Sequence, residues 1–320
     1  MSHPPVASAA PGTVRATPVV LDAGDARLSG LLAQPPHAAP HAVVVAVHGG
    51  GMRAGYFDSR ARAGLSLLTL GAQLGYTVLA VDRPGYGASA DRFPRGVTLA
   101  GQARLLRSAL AFFASSQETG AGFFVVGHSN GAKLALTLAA DAPASRIIGA
   151  DVSGLGTRPA VTADELPGPA GHGDWRRHWG ALRLYPPDAF RFGRELIAPV
   201  PAAEAEEAVD WPRAYPRLAA RIEVPVRFTF AEQERWWLHD DAAVAELLRP
   251  LKAAKASVDR LADAGHNISL GWAARTYHLR VLAFLEECLL ARDAAPAVSA
   301  RRHLIVSKGP EASTRKGNVS

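Results

Sequence analysis

The stretch GFFVVGHSNGAKLALTLAA, residues 122–140, decides the fold of this chain. It begins with a short apolar run of aromatic and β-branched residues, which is typical of a strand buried on both faces of a sheet. It ends with apolar residues at helical spacing. The stretch therefore predicts a buried strand that passes through a tight turn directly into a helix.

The turn itself is GHSNG (127–131), a G-x-S-x-G motif. A serine on such a sharp turn projects from the carboxyl end of the sheet, and the flanking glycines are needed because larger side chains would clash there. We predict that Ser129 is a nucleophile. The alternative is a glycine-rich turn whose serine only caps the following helix.

Similar apolar runs and helical patterns continue on both sides of this stretch. Strands alternating with helices predict right-handed βαβ units, and hence an α/β fold with a doubly wound, mostly parallel sheet. The apolar runs are residues 42–50, 76–85, 146–154, 224–232 and 256–266, the helical patterns are 61–75, 99–116, 133–143, 241–254 and 273–291, and 19–35 is predicted as an N-terminal hairpin.

One long segment breaks this alternation. Residues 155–222 contain nine prolines and are too long for an ordinary connection, so we predict a helical cap, or lid, inserted over the site. The α/β core is then expected at 16–154 and 223–293. Residues 1–15 and the basic segment 294–320 are rich in Ala, Pro, Ser and Gly, and we predict that both are disordered tails.

Composition excludes several classes of protein. Hydrophobic residues make up 48% of the chain, which is enough for a large core, and the one cysteine, Cys288, permits no disulfide framework. The net charge of +6 is concentrated after Asp293, where five basic residues face one acidic residue, so we do not expect nucleic-acid binding. Without a secretory signal or an apolar run long enough to span a membrane, we predict a cytoplasmic protein. The sequence implies no metal or other cofactor and does not predict the oligomeric state.

A nucleophilic serine needs a histidine base and an acid that orients it. In enzymes with this turn the three residues occur along the chain in the order serine, acid, histidine. His266 follows the last predicted strand, and we predict that it takes the proton of Ser129. His128 is expected to point away from the site. The acid should follow the strand at 224–232; we favour Glu234 and keep Glu232 as the alternative acid.

Backbone amides after the strand at 42–50 are candidates for an oxyanion hole. The segment HGGG (48–51) would let N–H groups approach a tetrahedral intermediate, and the residue after the nucleophile supplies another donor. We predict Gly50 and Asn130 as donors, with Gly49 and Gly51 as close alternatives.

Aromatic residues of the insertion, and others just after the predicted acid, are candidates to line a substrate pocket. Packing between the insertion and the sheet explains each of them equally well. The predicted substrate-binding residues are Trp179, Trp236 and Trp237.

Taken together, these motifs resemble the α/β-hydrolase family, over about residues 30–290. The segments that carry the resemblance are HGGG (48–51), DRPGYG (82–87), GHSNG (127–131), AEQE (231–234) and GHN (265–267). The resemblance implies a triad in which Glu234 stands at the position that usually holds Asp. It also implies a structural role for DRPGYG, in which we expect Asp82 and Arg83 to pair.

The sequence thus predicts a serine hydrolase of a small-molecule ester, thioester or lactone, acting through an acyl-enzyme on Ser129. The Ala- and Arg-rich composition is consistent with bacterial secondary metabolism. Two alternatives stay open. One is an acyltransferase, lyase or cyclase that uses the same groups differently, and the other is a non-catalytic member that only binds its ligand.

Overall fold

The computed structural model describes residues 14–36, 38–142, 146–168, 174–253 and 255–294. Its centre is one eight-stranded sheet with the strand order β1-β2-β4-β3-β5-β6-β7-β8. The two N-terminal strands form an antiparallel hairpin, β2 also runs antiparallel to β4, and every other neighbouring pair is parallel. The predicted α/β fold with a doubly wound, mostly parallel sheet is confirmed.

The strands alternate with α-helices along most of the chain. The strands are β1 (Thr17–Asp22), β2 (Arg27–Ala33), β3 (Val43–Val47), β4 (Thr77–Val81), β5 (Phe123–His128), β6 (Ile147–Ser153), β7 (Val226–Gln233) and β8 (Ala256–Gly265). The helices are α1 (Leu67–Gln73), α2 (Leu99–Ser116), α3 (Asn130–Ala139), α4 (Trp175–Trp179), α5 (Asp188–Leu196), α6 (Ala202–Ala208), α7 (Trp211–Ala219), α8 (Asp241–Leu248) and α9 (Ala274–Ala294).

Both faces of the sheet are covered, which explains the continuous apolar runs. In β3, Val43, Val45 and Val47 pack with α2 and α3 on one face, whereas Val44 and Ala46 pack with α1 and α9 on the other. All five side chains are fully buried. A strand with two buried faces has no polar alternation, and this is the pattern of a parallel sheet covered by helices.

The strand order reverses beside β3. The chain passes from β3 to β4 on one side and then returns to β5 on the other side of β3. In open α/β sheets the crevice at such a reversal, at the carboxyl ends of the strands, is where ligands bind. Here that crevice lies between the ends of β3 and β5, which are followed by His48 and Ser129.

The helices differ in extent from the sequence patterns. The pattern at 61–75 forms a helix only from Leu67, because the Ser66 side chain accepts a hydrogen bond from the Thr69 amide and caps the helix there. Helix α3 begins three residues earlier than predicted, directly after Ser129. In the described part of the segment between β6 and β7, which was predicted as an insertion, the chain forms four helices, α4 to α7.

Most of the two predicted tails lies outside the described residues. Within the part of the chain that the structure describes, no helix combines the length and apolar character needed to cross a membrane.

Candidate active site

Ser129 lies at the turn between β5 and α3, where the backbone is strained. Its φ of 52° and ψ of −120° place a non-glycine residue in a region that L-residues rarely adopt. The side chain makes no capping hydrogen bond to α3, so the alternative of a serine that only caps the helix is not supported. Ser129 is instead a half-buried residue in the wall of a cavity.

The two glycines of the motif make this turn possible by allowing close approach. A Cβ on Gly127 would lie 2.7 Å from the Cα of Ala132, and a Cβ on Gly131 would overlap the carbonyl oxygens of Val47 and His48. Glycine is needed at both positions because the backbones of β5, α3 and the end of β3 touch there.

His266 directly follows β8 and lines the same cavity as Ser129. Its Nδ1 lies 2.7 Å from Oε2 of Glu234, and both side chains are almost completely sealed from solvent. The ring packs tightly, since a Cβ on Gly154 would lie 2.8 Å from its Cε1. A carboxylate on Nδ1 holds the imidazole with Nδ1 protonated, which leaves Nε2 as the atom able to accept a proton.

The two candidate acids lie in different surroundings. A register shift between Ala231 and Gln233 interrupts the pairing of β7 with β8, and Glu234 turns inward after it. Its Oε1 also accepts a hydrogen bond from the Trp236 amide at 2.9 Å. Glu232 is exposed, and its carboxylate accepts a hydrogen bond from the Asp263 amide instead. The geometry therefore brings Glu234, and not Glu232, to His266.

Glu234 is ionised in this environment. Burial alone would raise the pKa of its carboxyl group, but the charge of His266, its hydrogen bond and the Trp236 amide together hold the pKa below its usual value. A carboxylate is the form that stabilises an imidazolium during proton transfer.

The predicted oxyanion donors differ in availability. Among the described residues, none accepts a hydrogen bond from the amides of Gly50 and Asn130, and both residues line the cavity beside Ser129. The Gly51 amide instead donates to the Tyr86 hydroxyl at 3.2 Å. The Gly51 amide therefore already has an acceptor, unlike the amides of Gly50 and Asn130. Gly49 has a packing role as well, since a Cβ there would lie 3.1 Å from the Cβ of Ser129.

His128 corrects another expectation, because it faces the cavity rather than pointing away from it. Its ring stacks on Tyr56 with centroids 4.7 Å apart, and Nδ1 lies 3.1 Å from the Ser153 hydroxyl. Burial, and after it the nearby His266, lower its pKa well below the usual value. His128 is thus a neutral residue in the cavity wall, and its ring centroid lies 4.7 Å from that of His266.

The expected pairing of Asp82 with Arg83 is wrong. Asp82 accepts hydrogen bonds from the Ser29 hydroxyl and the Ala54 amide, whereas Arg83 forms a buried ion pair of 2.8 Å with Glu204 of helix α6. The two neighbouring side chains leave the backbone in different directions, and Glu204 reaches Arg83 from the insertion.

Glu204 is the centre of a buried hydrogen-bond network beside Ser129. Besides the ion pair with Arg83, its carboxylate accepts hydrogen bonds from the Tyr86 hydroxyl at 3.1 Å and the Asn130 side-chain amide at 2.7 Å. Asn130 is the residue after Ser129, so this network links helix α6 to the turn that carries Ser129. Sequence reasoning missed Glu204, since no local motif marks a partner that comes from a distant helix.

The cavity beside Ser129 has a volume of about 390 Å³ and predominantly apolar walls. The tryptophans predicted as substrate-binding, Trp179, Trp236 and Trp237, all line it, together with residues of α4, α6 and α7. Trp211 and Phe190, by contrast, pack in the core or against other aromatic rings. Lys133 also reaches the cavity and was not predicted, although its position one helical turn after Ser129 is a usable signal.

Comparison with known proteins places this geometry in a family context. A sequence model of the alpha/beta hydrolase family matches residues 44–277. No curated protein sequence matches the chain significantly.

Solved structures share the fold at low sequence identity. The 2-hydroxy-6-oxo-6-phenylhexa-2,4-dienoate hydrolase of a Rhodococcus strain is 16% identical, with a TM-score of 0.59 over 85% of this chain and 100% of its own. A monoacylglycerol lipase of Paleococcus ferrophilus is 18% identical, with a TM-score of 0.58 over 86% of this chain and 99% of its own. An esterase domain of a Rhodothermus marinus protein is 18% identical, with a TM-score of 0.57 over 85% and 98%.

Proposed function

Because the chain belongs to the alpha/beta hydrolase family, we propose that it hydrolyses a small-molecule ester, thioester or lactone through an acyl-enzyme on Ser129. The observation that carries this proposal is the sealed hydrogen bond between His266 and Glu234, in the wall of the cavity that Ser129 also lines. A buried imidazole–carboxylate pair beside a strained serine is the arrangement that activates a hydroxyl nucleophile.

The first half of the reaction forms the acyl-enzyme. Nε2 of His266 takes the hydroxyl proton as Oγ of Ser129 attacks the acyl carbon, and Glu234 stabilises the resulting imidazolium. The C=O bond becomes a C–O⁻ single bond, and the amides of Gly50 and Asn130 donate hydrogen bonds to that oxyanion. Each such donor contributes about 3–4 kcal/mol to stabilising the transition state. The tetrahedral intermediate then expels the leaving group, which receives the proton from His266.

The second half returns the enzyme to its starting state. His266 takes a proton from water, the hydroxide attacks the acyl carbon, and the oxyanion forms again beside Gly50 and Asn130. Collapse of this intermediate breaks the bond to Ser129, which recovers its proton from His266. The products are a carboxylic acid and an alcohol or thiol, or, from a lactone, a single hydroxy acid.

We further propose that the segment 155–222 acts as a cap over the cavity, with Trp179, Trp236 and Trp237 contacting the substrate. Support comes from the position of these side chains in the cavity wall. A cytoplasmic location and a role in bacterial secondary metabolism remain predictions from the sequence.

Hydrolysis of 4-nitrophenyl hexanoate tests the proposal. Wild type should release nitrophenolate, and Ser129→Ala and His266→Ala should each lower kcat by several orders of magnitude. Ser115→Ala, on the exposed face of α2, serves as the control and should match wild type. If Ser129→Ala kept more than a tenth of the activity, another nucleophile would be at work.

A further inference from the structure

Lys133 differs from every other residue around the substrate cavity. Among the cavity-lining residues that the structure describes, it is the only Lys, Arg, Asp or Glu. Its side chain is 8% exposed, so the ammonium group lies inside the fold rather than in bulk water. A charged group at such a place is expensive unless a partner compensates for it.

No carboxylate in the described residues lies within ion-pair distance of Lys133. Its nearest identified partner is the ring of Trp211, whose centroid lies 5.8 Å from Nζ. Glu204 is already held by Arg83, Tyr86 and Asn130, as described above.

One further carboxylate near Lys133 is Glu207, and it is also engaged. It accepts a hydrogen bond from the Leu99 amide, at the start of α2, at 2.6 Å. Asp210 lines the same small pocket as Lys133, Glu204 and Glu207. Among the described residues, however, no carboxylate lies close enough to the Lys133 ammonium to form an ion pair.

The electrostatic balance agrees with this geometry. Burial lowers the pKa of Lys133 to about 8; Glu204 and Glu207 act in the opposite direction, and Arg83 lowers it further. The two carboxylates thus fail to offset the cost of burying the charge. At neutral pH the amine is still mostly protonated. Lys133 lines both the substrate cavity, where the other described lining residues carry no Lys, Arg, Asp or Glu, and a smaller adjoining pocket that Glu204, Glu207 and Asp210 also line.

The position of Lys133 relates it to the reacting atoms. Lys133 lies in the first turn of α3, whose N-cap is Ser129, so its backbone is about one helical turn from that of Ser129. A group bound at Lys133 would therefore be separated from the acyl carbon at Ser129 by several bonds. It would belong to the same small molecule.

We propose that Lys133 binds an anionic group of the substrate, so that this cavity takes esters, thioesters or lactones that carry a carboxylate several bonds from the reacting carbonyl. The inference rests on the proposed function, since it concerns the substrate of the same site. The apolar cavity walls contact the uncharged part of the substrate. A carboxylate on Lys133 supplies the anionic contact that the protein itself does not.

Matched substrate pairs test this assignment. The mono-4-nitrophenyl ester of adipate and 4-nitrophenyl hexanoate share a six-carbon acyl chain and differ in the terminal carboxylate. A second pair, 4-acetoxybenzoate and 4-acetoxybenzamide, places the charge on the leaving group instead. The readout is the ratio of kcat/KM for the charged member to that for the neutral member of each pair.

We expect wild type to prefer the charged member of at least one pair. Lys133→Met should lower that ratio about ten- to hundred-fold, the scale of one lost hydrogen bond to a charged group, and Lys133→Arg should retain much of it. Lys252→Met, an exposed lysine, is the control and should leave the ratio unchanged. A ratio that Lys133→Met leaves unchanged in both pairs overturns the assignment, as does a wild-type preference for both neutral members.

The design separates this inference from the proposed function. If Ser129→Ala abolishes hydrolysis of all four compounds while Lys133→Met changes neither ratio, the serine hydrolase stands and the anion site is lost. If Ser129→Ala hydrolyses them normally, the proposed function itself fails.

Discussion

Oε2 of Glu234 lies 2.7 Å from Nδ1 of His266, and both side chains are almost completely buried. The two residues come from the ends of β7 and β8, which are adjacent in the sheet, so the fold itself brings them together. The carboxylate is also fixed from its other oxygen by the Trp236 amide. An acid held at both oxygens keeps the imidazole in one orientation and one tautomer.

Replacing Glu234 should therefore disable His266. For Glu234→Gln we expect kcat to fall about 10³- to 10⁴-fold, because the amide cannot stabilise the imidazolium. Glu232→Gln is the matched control, two residues earlier and exposed, and should stay within a fewfold of wild type. Steady-state hydrolysis of 4-nitrophenyl hexanoate measures both. A larger loss in Glu232→Gln would reassign the acid.

The turn at Ser129 should tolerate no side chain at Gly131. In Gly131→Ala the new methyl group would overlap the carbonyl oxygens that end β3 and push α3 away from the sheet. We expect a loss of about 1–3 kcal/mol in the free energy of unfolding and of about 10²-fold in kcat/KM. Gly168→Ala, where a Cβ meets open space, is the control. Wild-type stability in Gly131→Ala would show that the approach of α3 to β3 is looser than described.

The buried ion pair between Arg83 and Glu204 should be essential for stability. Glu204→Gln removes the carboxylate and leaves the guanidinium buried without its counter-charge, which should cost about 3–5 kcal/mol in the free energy of unfolding. Glu206→Gln, two residues along the same helix, breaks only an exposed pair with Arg95 and should cost less than about 1 kcal/mol. Urea denaturation at pH 7 compares the two variants. Equal, small effects would contradict the role of Glu204 in holding the insertion.

Lys133 should lower the stability of the folded protein at neutral pH, although it binds the substrate. Its pKa is about 8 in the folded protein against an ordinary value of 10.5, a difference that corresponds to about 3 kcal/mol. Lys133→Met should therefore be more stable than wild type at pH 7, by about that amount at most.

The same pKa difference sets the pH dependence. Between pH 8 and 10.5 the unfolded chain binds more protons at Lys133 than the folded chain, so the stability of wild type should rise towards that of Lys133→Met across this window. Thermal unfolding of both proteins from pH 7 to 10.5 measures the difference in stability between them. A difference that stays constant, or that increases with pH, would contradict the burial of a charged lysine.

Local patterns in the sequence were enough to predict the fold and the residues around the nucleophile. The apolar run before Ser129 and the helix after it follow from side-chain periodicity, and the position of His266 follows from chain order along a parallel sheet. Both depend only on neighbours in sequence or on the order of strands. That is why the predicted sheet agrees with the structure, in which the ends of its strands bring Ser129 and His266 to one cavity.

Contacts made by the insertion could not be predicted in the same way. Arg83 pairs with Glu204 rather than with the adjacent Asp82, because side-chain direction and a distant helix decide the partner. The Tyr86 hydroxyl likewise occupies the amide of Gly51, a choice that no local pattern encodes. These outcomes depend on how the segment between β6 and β7 folds back over the sheet, and its proline-rich sequence has little periodicity to indicate this.

The most direct test of the central claim is the intact mass of the protein after treatment with a fluorophosphonate, which reacts with activated serines. We expect one adduct on wild type and on Ser115→Ala, and none on Ser129→Ala. An adduct that persists on Ser129→Ala, or a wild-type protein that remains unmodified while the small probe has access to the cavity, would contradict the assignment of Ser129 as the nucleophile.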